Sequence, residues 1–403
     1  MCSGPFAKPR ITDWAAEEGR VGQVGRVGQV GSSDGSDPRE WSSSPPTSPT
    51  RPVITVVAQD SSPGVAVRRI TFVIIALVLA RPLGALKPEV LGSVDAIPAH
   101  ITGRFREPAG FQQSASGQFF VFDRRAHKVY GIDERQTSSW EIIQIGSEPG
   151  RIIGPTAFSV EPQGTFVVAD APYNRERIQV FTPAGFPIGG FWLPGRSKPR
   201  VVFESFVLNG IGSLQYTGTS ILMSQPETGA LVTDYTLRGS VNRTFGTLRH
   251  TGHEDDRDLH LALNSGVPLV DPRGGFFFVF QTGEPVLRKY DDEGQLVFER
   301  HIEGREIDEF VARLPTTWPL RQTSEGELPL VTPTIRTAAV DSAGNLWVTF
   351  VVPYTYVYDR DGDKIRTLQF RAAGITAPNS LFFGPKGRLL VTPGLYEFDP
   401  GPT

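Results

Sequence analysis

Half of the six histidines in this 403-residue chain fall within the stretch RHTGHEDDRDLH, which begins at Arg249. His250, His253 and His260 stand there beside Glu254, Asp255, Asp256 and Asp258. Imidazole and carboxylate are donors that zinc and other divalent transition metals accept. A divalent metal is therefore the cofactor this stretch would hold. Its spacing is not diagnostic: His250 and His253 are one helical turn apart, but Gly252 between them favours a loop. A solvated insertion accounts for the same composition. Elsewhere the sequence has no G-x-x-x-x-G-K phosphate loop, no G-x-S-x-G elbow and no H-E-x-x-H zinc pair. Catalytic groups drawn from separate strands would leave no such motif, so this absence lowers the expectation of an enzyme without deciding it.

The elements that would position these groups are strands. An apolar strand, a turn glycine and a second apolar strand recur around Gly117 (QFFVFD), Gly164 (TFVVAD), Gly218 (TSILMS), Gly274 (GFFFVF), Gly344 (NLWVTF) and Gly387 (RLLVTP). The intervals are 47, 54, 56, 70 and 43 residues. Units of this length that cannot bury both faces alone must stack on one another. A turn glycine suits the positive φ that a tight strand connection needs. Third strands ending in acidic turns follow, as in VYGIDERQ from Val129 and YVYDRDGDK from Tyr356.

The segment VVADAPYNRERIQVF, from Val167 to Phe181, resembles one unit of the NHL-repeat β-propellers. The resemblance rests on Asp170, Asn174, Arg177, Ile178, Gln179, Val180 and Phe181, with a turn glycine at Gly185. It extends in pattern from Glu89 to Asp399. Its acidic residue recurs at Asp123, whereas Ser224, Phe280, Phe350 and Pro393 stand at the equivalent places in the other units. The resemblance implies an all-β, six-bladed β-propeller with four-stranded antiparallel blades over residues 86–403. Only sixteen residues follow Gly387, too few for a full last blade, so Glu89–Ile97 is expected to supply the missing strand and close the ring. Closure removes exposed strand edges.

Such a ring offers a ligand site where its innermost strands begin, at one mouth of a central channel. Aligned on the turn glycines, those positions are Pro108, Thr156, Asn209, Ser265, Arg336 and Asn379. Arg336, Asn379 and Thr156 are the ligand-binding candidates, and Arg336 could hold a carboxylate through both its nitrogens. Asp123, Asp170, Asn174 and Arg177 are the repeat-motif residues. An insertion containing REIDEFVARL, from Arg305, carries Ile307, Phe310, Val311 and Leu314 in the i, i+3, i+4, i+7 pattern of a short amphipathic helix.

Residues 1–66, which include VGQVGRVGQVG and SSSPPTSPTRP, are too poor in bulky apolar side chains to build a core. Residues 67–85 place Arg68 and Arg69 ahead of an apolar run, Ile70–Ala80, that falls short of the ~20 residues a bilayer span requires. A basic start, a short apolar run and small residues at Ala80 or Ala85 describe a secretory signal peptide. Its position deep in the chain suggests a translation start later than Met1. The sole cysteine, Cys2, would then be absent from the mature protein. Formal net charge is -3, which offers no field to attract nucleic acid.

These readings point to an exported protein, periplasmic or extracellular, without a stable membrane span once the signal is cleaved. Its expected role is a binding or scaffolding module for a protein, peptide or carbohydrate partner. The alternative is a propeller hydrolase or lyase, lactonase-like, using a divalent metal in the channel.

Overall fold

The computed structural model describes residues 87–194, 199–203, 206–209, 213–323 and 326–401, all within the compact unit Arg81–Thr403. The compositionally poor prefix 1–66 and the signal-peptide segment 67–85 lie outside the described residues. Among the described residues no helix is long and apolar enough to cross a membrane.

Strands dominate. After β1 (Glu89–Ala96) and the single turn α1 (Ala99–Thr102), the first four-stranded sheet comprises β2 (Pro108–Gln113), β3 (Phe119–Asp123), β4 (Lys128–Ile132) and β5 (Ser139–Ile143). The second comprises β6 (Ala157–Val160), β7 (Phe166–Asp170), β8 (Arg177–Phe181) and β9 (Pro187–Trp192). A separate hairpin follows, β10 (Pro199–Phe203) with β11 (Phe206–Asn209). The third sheet holds β12 (Leu214–Tyr216), β13 (Ser220–Ser224), β14 (Ala230–Thr236) and β15 (Val241–Thr247). Helix α2 (Arg257–Leu263) leads to the fourth, with β16 (Gly266–Val270), β17 (Phe276–Phe280), β18 (Val286–Tyr290) and β19 (Leu296–His301). Helix α3 (Arg305–Val311) and the hairpin β20 (Leu320–Thr323) with β21 (Gly326–Pro329) then precede the last seven strands. These are β22 (Ile335–Val340), β23 (Leu346–Phe350), β24 (Thr355–Tyr358), β25 (Lys364–Arg371), β26 (Ser380–Phe383), β27 (Leu389–Thr392) and β28 (Tyr396–Phe398).

The arrangement is all-β and propeller-like, built on four-stranded antiparallel sheets. It corrects one expectation. Among the described residues four four-stranded sheets stand alone, not six, and apart from the two hairpins the remaining eight strands form one sheet in the order β22-β23-β24-β25-β1-β28-β27-β26. The reason is β1, whose first half pairs parallel with β25 and whose second half pairs antiparallel with β28. The segment expected to close the ring does pair with β28, and it also welds that strand's unit to the one before.

The second strand of each unit explains the stacking. Neighbouring residues of a strand face opposite ways, so an all-apolar strand feeds two interfaces. In β3, Phe120 and Phe122 join Phe166 and Val168 of the next sheet, while Phe119 and Val121 join Leu390 of β27. Likewise Phe277 of β17 packs with Val348, and Phe278 with Leu222. Each buried phenylalanine contributes on the order of 1.5–3 kcal/mol. The turns obey the pattern read from the sequence: Gly117, Gly164, Gly218, Gly274, Gly344 and Gly387 have φ of 90°, 90°, 91°, 117°, 89° and 71°.

Candidate functional site

Strands β2, β6, β12, β16, β22 and β26 line one channel of about 1270 Å³. At the end where these strands begin, Pro108, Thr156, Arg336 and Asn379 all line it, as the alignment on the turn glycines expects. Arg336 donates from Nη1 to Asn379 Oδ1 at 2.7 Å, tying β22 to the start of its neighbour β26 at the mouth. The Arg336 carbonyl accepts from Gln281 Nε2 at 3.3 Å. Thr156 turns inward, its Oγ1 donating to the Ala169 carbonyl at 3.4 Å. Glu107 and Arg124 form an ion pair on the same rim.

Two expected mouth residues sit elsewhere. Asn209 ends β11, the inserted hairpin, so the third unit starts at Ser213 and Leu214 instead. The 54-residue interval conceals that hairpin, which displaces the alignment. Ser265 is buried, with its hydroxyl donating to the Leu261 carbonyl at 3.3 Å at the end of α2.

The repeat-motif residues serve the fold. Asp123, fully buried, accepts backbone N–H groups of Arg106, Glu107 and Ala126, and so fixes the loop that carries Glu107 to the rim. Asp170 accepts from Ile153 N and is held by Arg177 through both nitrogens, Nε to Oδ1 at 2.9 Å and Nη2 to Oδ2 at 2.6 Å. Arg177 also donates to the Ser147 and Arg151 carbonyls and lies against Trp192. Asn174 supplies a backbone conformation, φ 58°, in the turn between β7 and β8.

The histidine-rich stretch forms a capped helix, where the sequence suggested a loop or a metal site. Asp256 caps α2 by accepting from Leu259 N at 3.1 Å. His250 contacts Glu254 at 2.9 Å and His260 contacts Thr251 Oγ1 at 2.7 Å, so the imidazoles turn to different partners. Backbone N–H groups of Thr251 and Gly252 hold the Glu254 carboxyl down at about 2. Among the described residues no three His, Cys, Asp or Glu side chains group so as to hold a metal. Hairpins β10–β11 and β20–β21 both touch α2, and Leu259 and Leu263 pack with Val331 and Trp318. Three insertions thus build a cap beside the mouth. Arg249 ties it down, donating to the carbonyls of Leu263, Thr282 and Glu284, and burial draws its guanidinium down to about 10. Helix α3 forms where the periodicity predicts but ends at Val311, short of Leu314, and it buries only Ile307 against its neighbouring sheets.

Sequence reasoning missed a set of links on the channel wall. Gln112 Oε1 accepts from Val160 N at 2.6 Å, Ser159 Oγ from Tyr216 N at 3.0 Å and Gln215 Oε1 from Val270 N at 2.6 Å. Each runs from one leading strand to the next. The signal was a polar residue at the next-to-last paired position of each of these strands. At the far end of the channel, Glu161 and Asp341 bend back onto their own hairpins.

No family model matches this chain, and no curated protein matches it. Among solved structures, a streptogramin B lyase is 12% identical, covering 75% of this chain and 95% of its own, with a TM-score of 0.46. A virginiamycin B lyase from Staphylococcus aureus is 13% identical, covering 71% and 77%, with a TM-score of 0.42. A gluconolactonase from Xanthomonas campestris is 16% identical, covering 79% and 98%, with a TM-score of 0.41.

Proposed function

We propose that this chain is an exported binding module that takes its protein, peptide or carbohydrate partner at the channel mouth. The carrying observation is the Arg336–Asn379 bridge, which sets a cation and a carboxamide from two different units on one rim. Such a pair supplies both donors and an acceptor to an incoming polar group. The basic pair Arg68–Arg69 and the short apolar run after it support export. We count the ring as six NHL-like units, taking the eight-stranded sheet as two that share β1. A metal-using hydrolase or lyase would need several carboxylates or imidazoles from different units converging on one point, and the described residues offer no such group.

Peptide and glycan arrays probed with the full chain and with Arg336→Glu test the reading. Charge reversal is expected to abolish the array signal while the circular dichroism spectrum stays unchanged. Undiminished binding by Arg336→Glu would remove the mouth as the site.

A further inference from the structure

All six leading strands end alike. The first residue of the following turn bonds across its hairpin, as Glu161 N does to Thr165 O and Asp341 N to Asn345 O. In an antiparallel ladder successive N–H groups point to opposite edges. The last N–H of each leading strand therefore points away from its own sheet, toward the channel.

Three of these six donors are capped, those of Val160, Tyr216 and Val270, by Gln112, Ser159 and Gln215. The capping position is the next-to-last paired residue of the preceding strand. In the other three units that register holds Leu269, Ala339 and Phe382, none of whose side chains can accept a hydrogen bond. Among the described residues no side chain caps the N–H groups of Val340, Phe383 and Gln113. These three residues are consecutive around the ring and all line the channel. One half of the wall is sealed, and the other presents main-chain donors beside the half-buried rings of Phe382 and Phe383.

We propose that the wall formed by β22, β26 and β2 binds a neutral oligosaccharide, an inference that rests on reading the channel as the ligand site. The donors come from three strands at one level. A peptide backbone pairs along a single edge, whereas a sugar carries acceptor oxygens around its perimeter and apolar C–H faces that suit the phenylalanines. The carboxylates of Glu161 and Asp341 at this end of the channel disfavour an anionic ligand.

Calorimetric titration of the full chain with maltohexaose, cellohexaose, N-acetylchitohexaose, an alginate hexamer and an unrelated hexapeptide tests this. Ala339→Gln installs a cap over Phe383 N–H in the register Gln112 and Gln215 use, and Phe382→Ser aims one at Gln113 N–H. At least one neutral hexaose is expected to bind wild type. Each capping variant is expected to weaken it about tenfold, the equivalent of one hydrogen bond, with an unchanged circular dichroism spectrum. Gln215→Ala, on the sealed half between β12 and β16, is expected to leave that affinity within about twofold. Absence of binding by every neutral hexaose, or affinity indifferent to both caps, overturns the proposal. Binding only of the alginate or the peptide, lost in Arg336→Glu, also overturns it while leaving the mouth reading intact.

Discussion

Replacing Asp170 by asparagine would leave the Arg177 guanidinium, 1% exposed, without its counter-charge. Breaking one side of a buried pair costs about 3–5 kcal/mol. Urea denaturation of Asp170→Asn is expected to show a loss of that size, and a loss under about 1 kcal/mol would mean that Arg177 finds compensation in its two carbonyl partners. Asp123 holds its loop without a facing arginine, by three backbone N–H groups, so its loss should cost less. The same residues that made the repeat recognisable in the sequence are therefore structural ties. Channel residues were harder to identify, because a glutamine such as Gln112 reads as an ordinary polar interruption until its neighbour strand is known. Arg336 and Asn379 were legible only through their offset from the turn glycines, and the same offset failed at Asn209, where an inserted hairpin intervenes.

At the level of elements, the closing strand carries a built-in conflict. Asp95 of β1 stands opposite Glu397 of β28. Burial first, and then the Asp95 carboxylate, push the Glu397 carboxyl above its ordinary value, against Arg388, Lys386 and the hydrogen bond from Gln136. The folded ring therefore holds this proton more tightly than the unfolded chain does. That stabilisation is complete below the ordinary glutamate value, 4.5, and is lost as pH rises through the raised one. Glu397→Gln is expected to stabilise the ring at pH 7 by roughly 0.5–1 kcal/mol, the scale of a facing like-charge pair, and to match wild type at pH 3.5. Thermal melts at both values check this; an equal or lower melting temperature for the variant at pH 7 would refute it. The strands and their positive-φ turns were readable because alternation and glycine act locally. Helix α2 was not, since its polar composition masks Leu259 and Leu263, which gain their partners, Val331 and Trp318, only from a distant insertion.

For the whole molecule, one strand joins the two ends of the array. Deleting Glu89–Ala96 would expose an edge on β25 and another on β28, and unpaired edges recruit other chains. Size-exclusion chromatography with light scattering is expected to show concentration-dependent association of that variant. A monomeric variant with the parent melting temperature would contradict the assigned role of β1. The fused sheet also shows why counting units from the sequence and counting separate sheets in the structure give different answers: hydrogen bonds ignore the boundary that the repeat defines. The cap built by three insertions lies outside the repeat logic, so the periodicity registered it only as lengthened intervals between the turn glycines.

The pairing of Glu89 with Leu368 and of Ala96 with Tyr396 has a kinetic side. Synthesis delivers about 5–20 residues per second, so the first strand waits many seconds before its partners exist. Contacts that span so much sequence form slowly. During that interval the nascent polypeptide is an open row of half-covered sheets, each able to come apart without cooperative resistance from a finished circle. A chain whose locking step awaits both β25 and β28 stays open to rearrangement until those strands have been made.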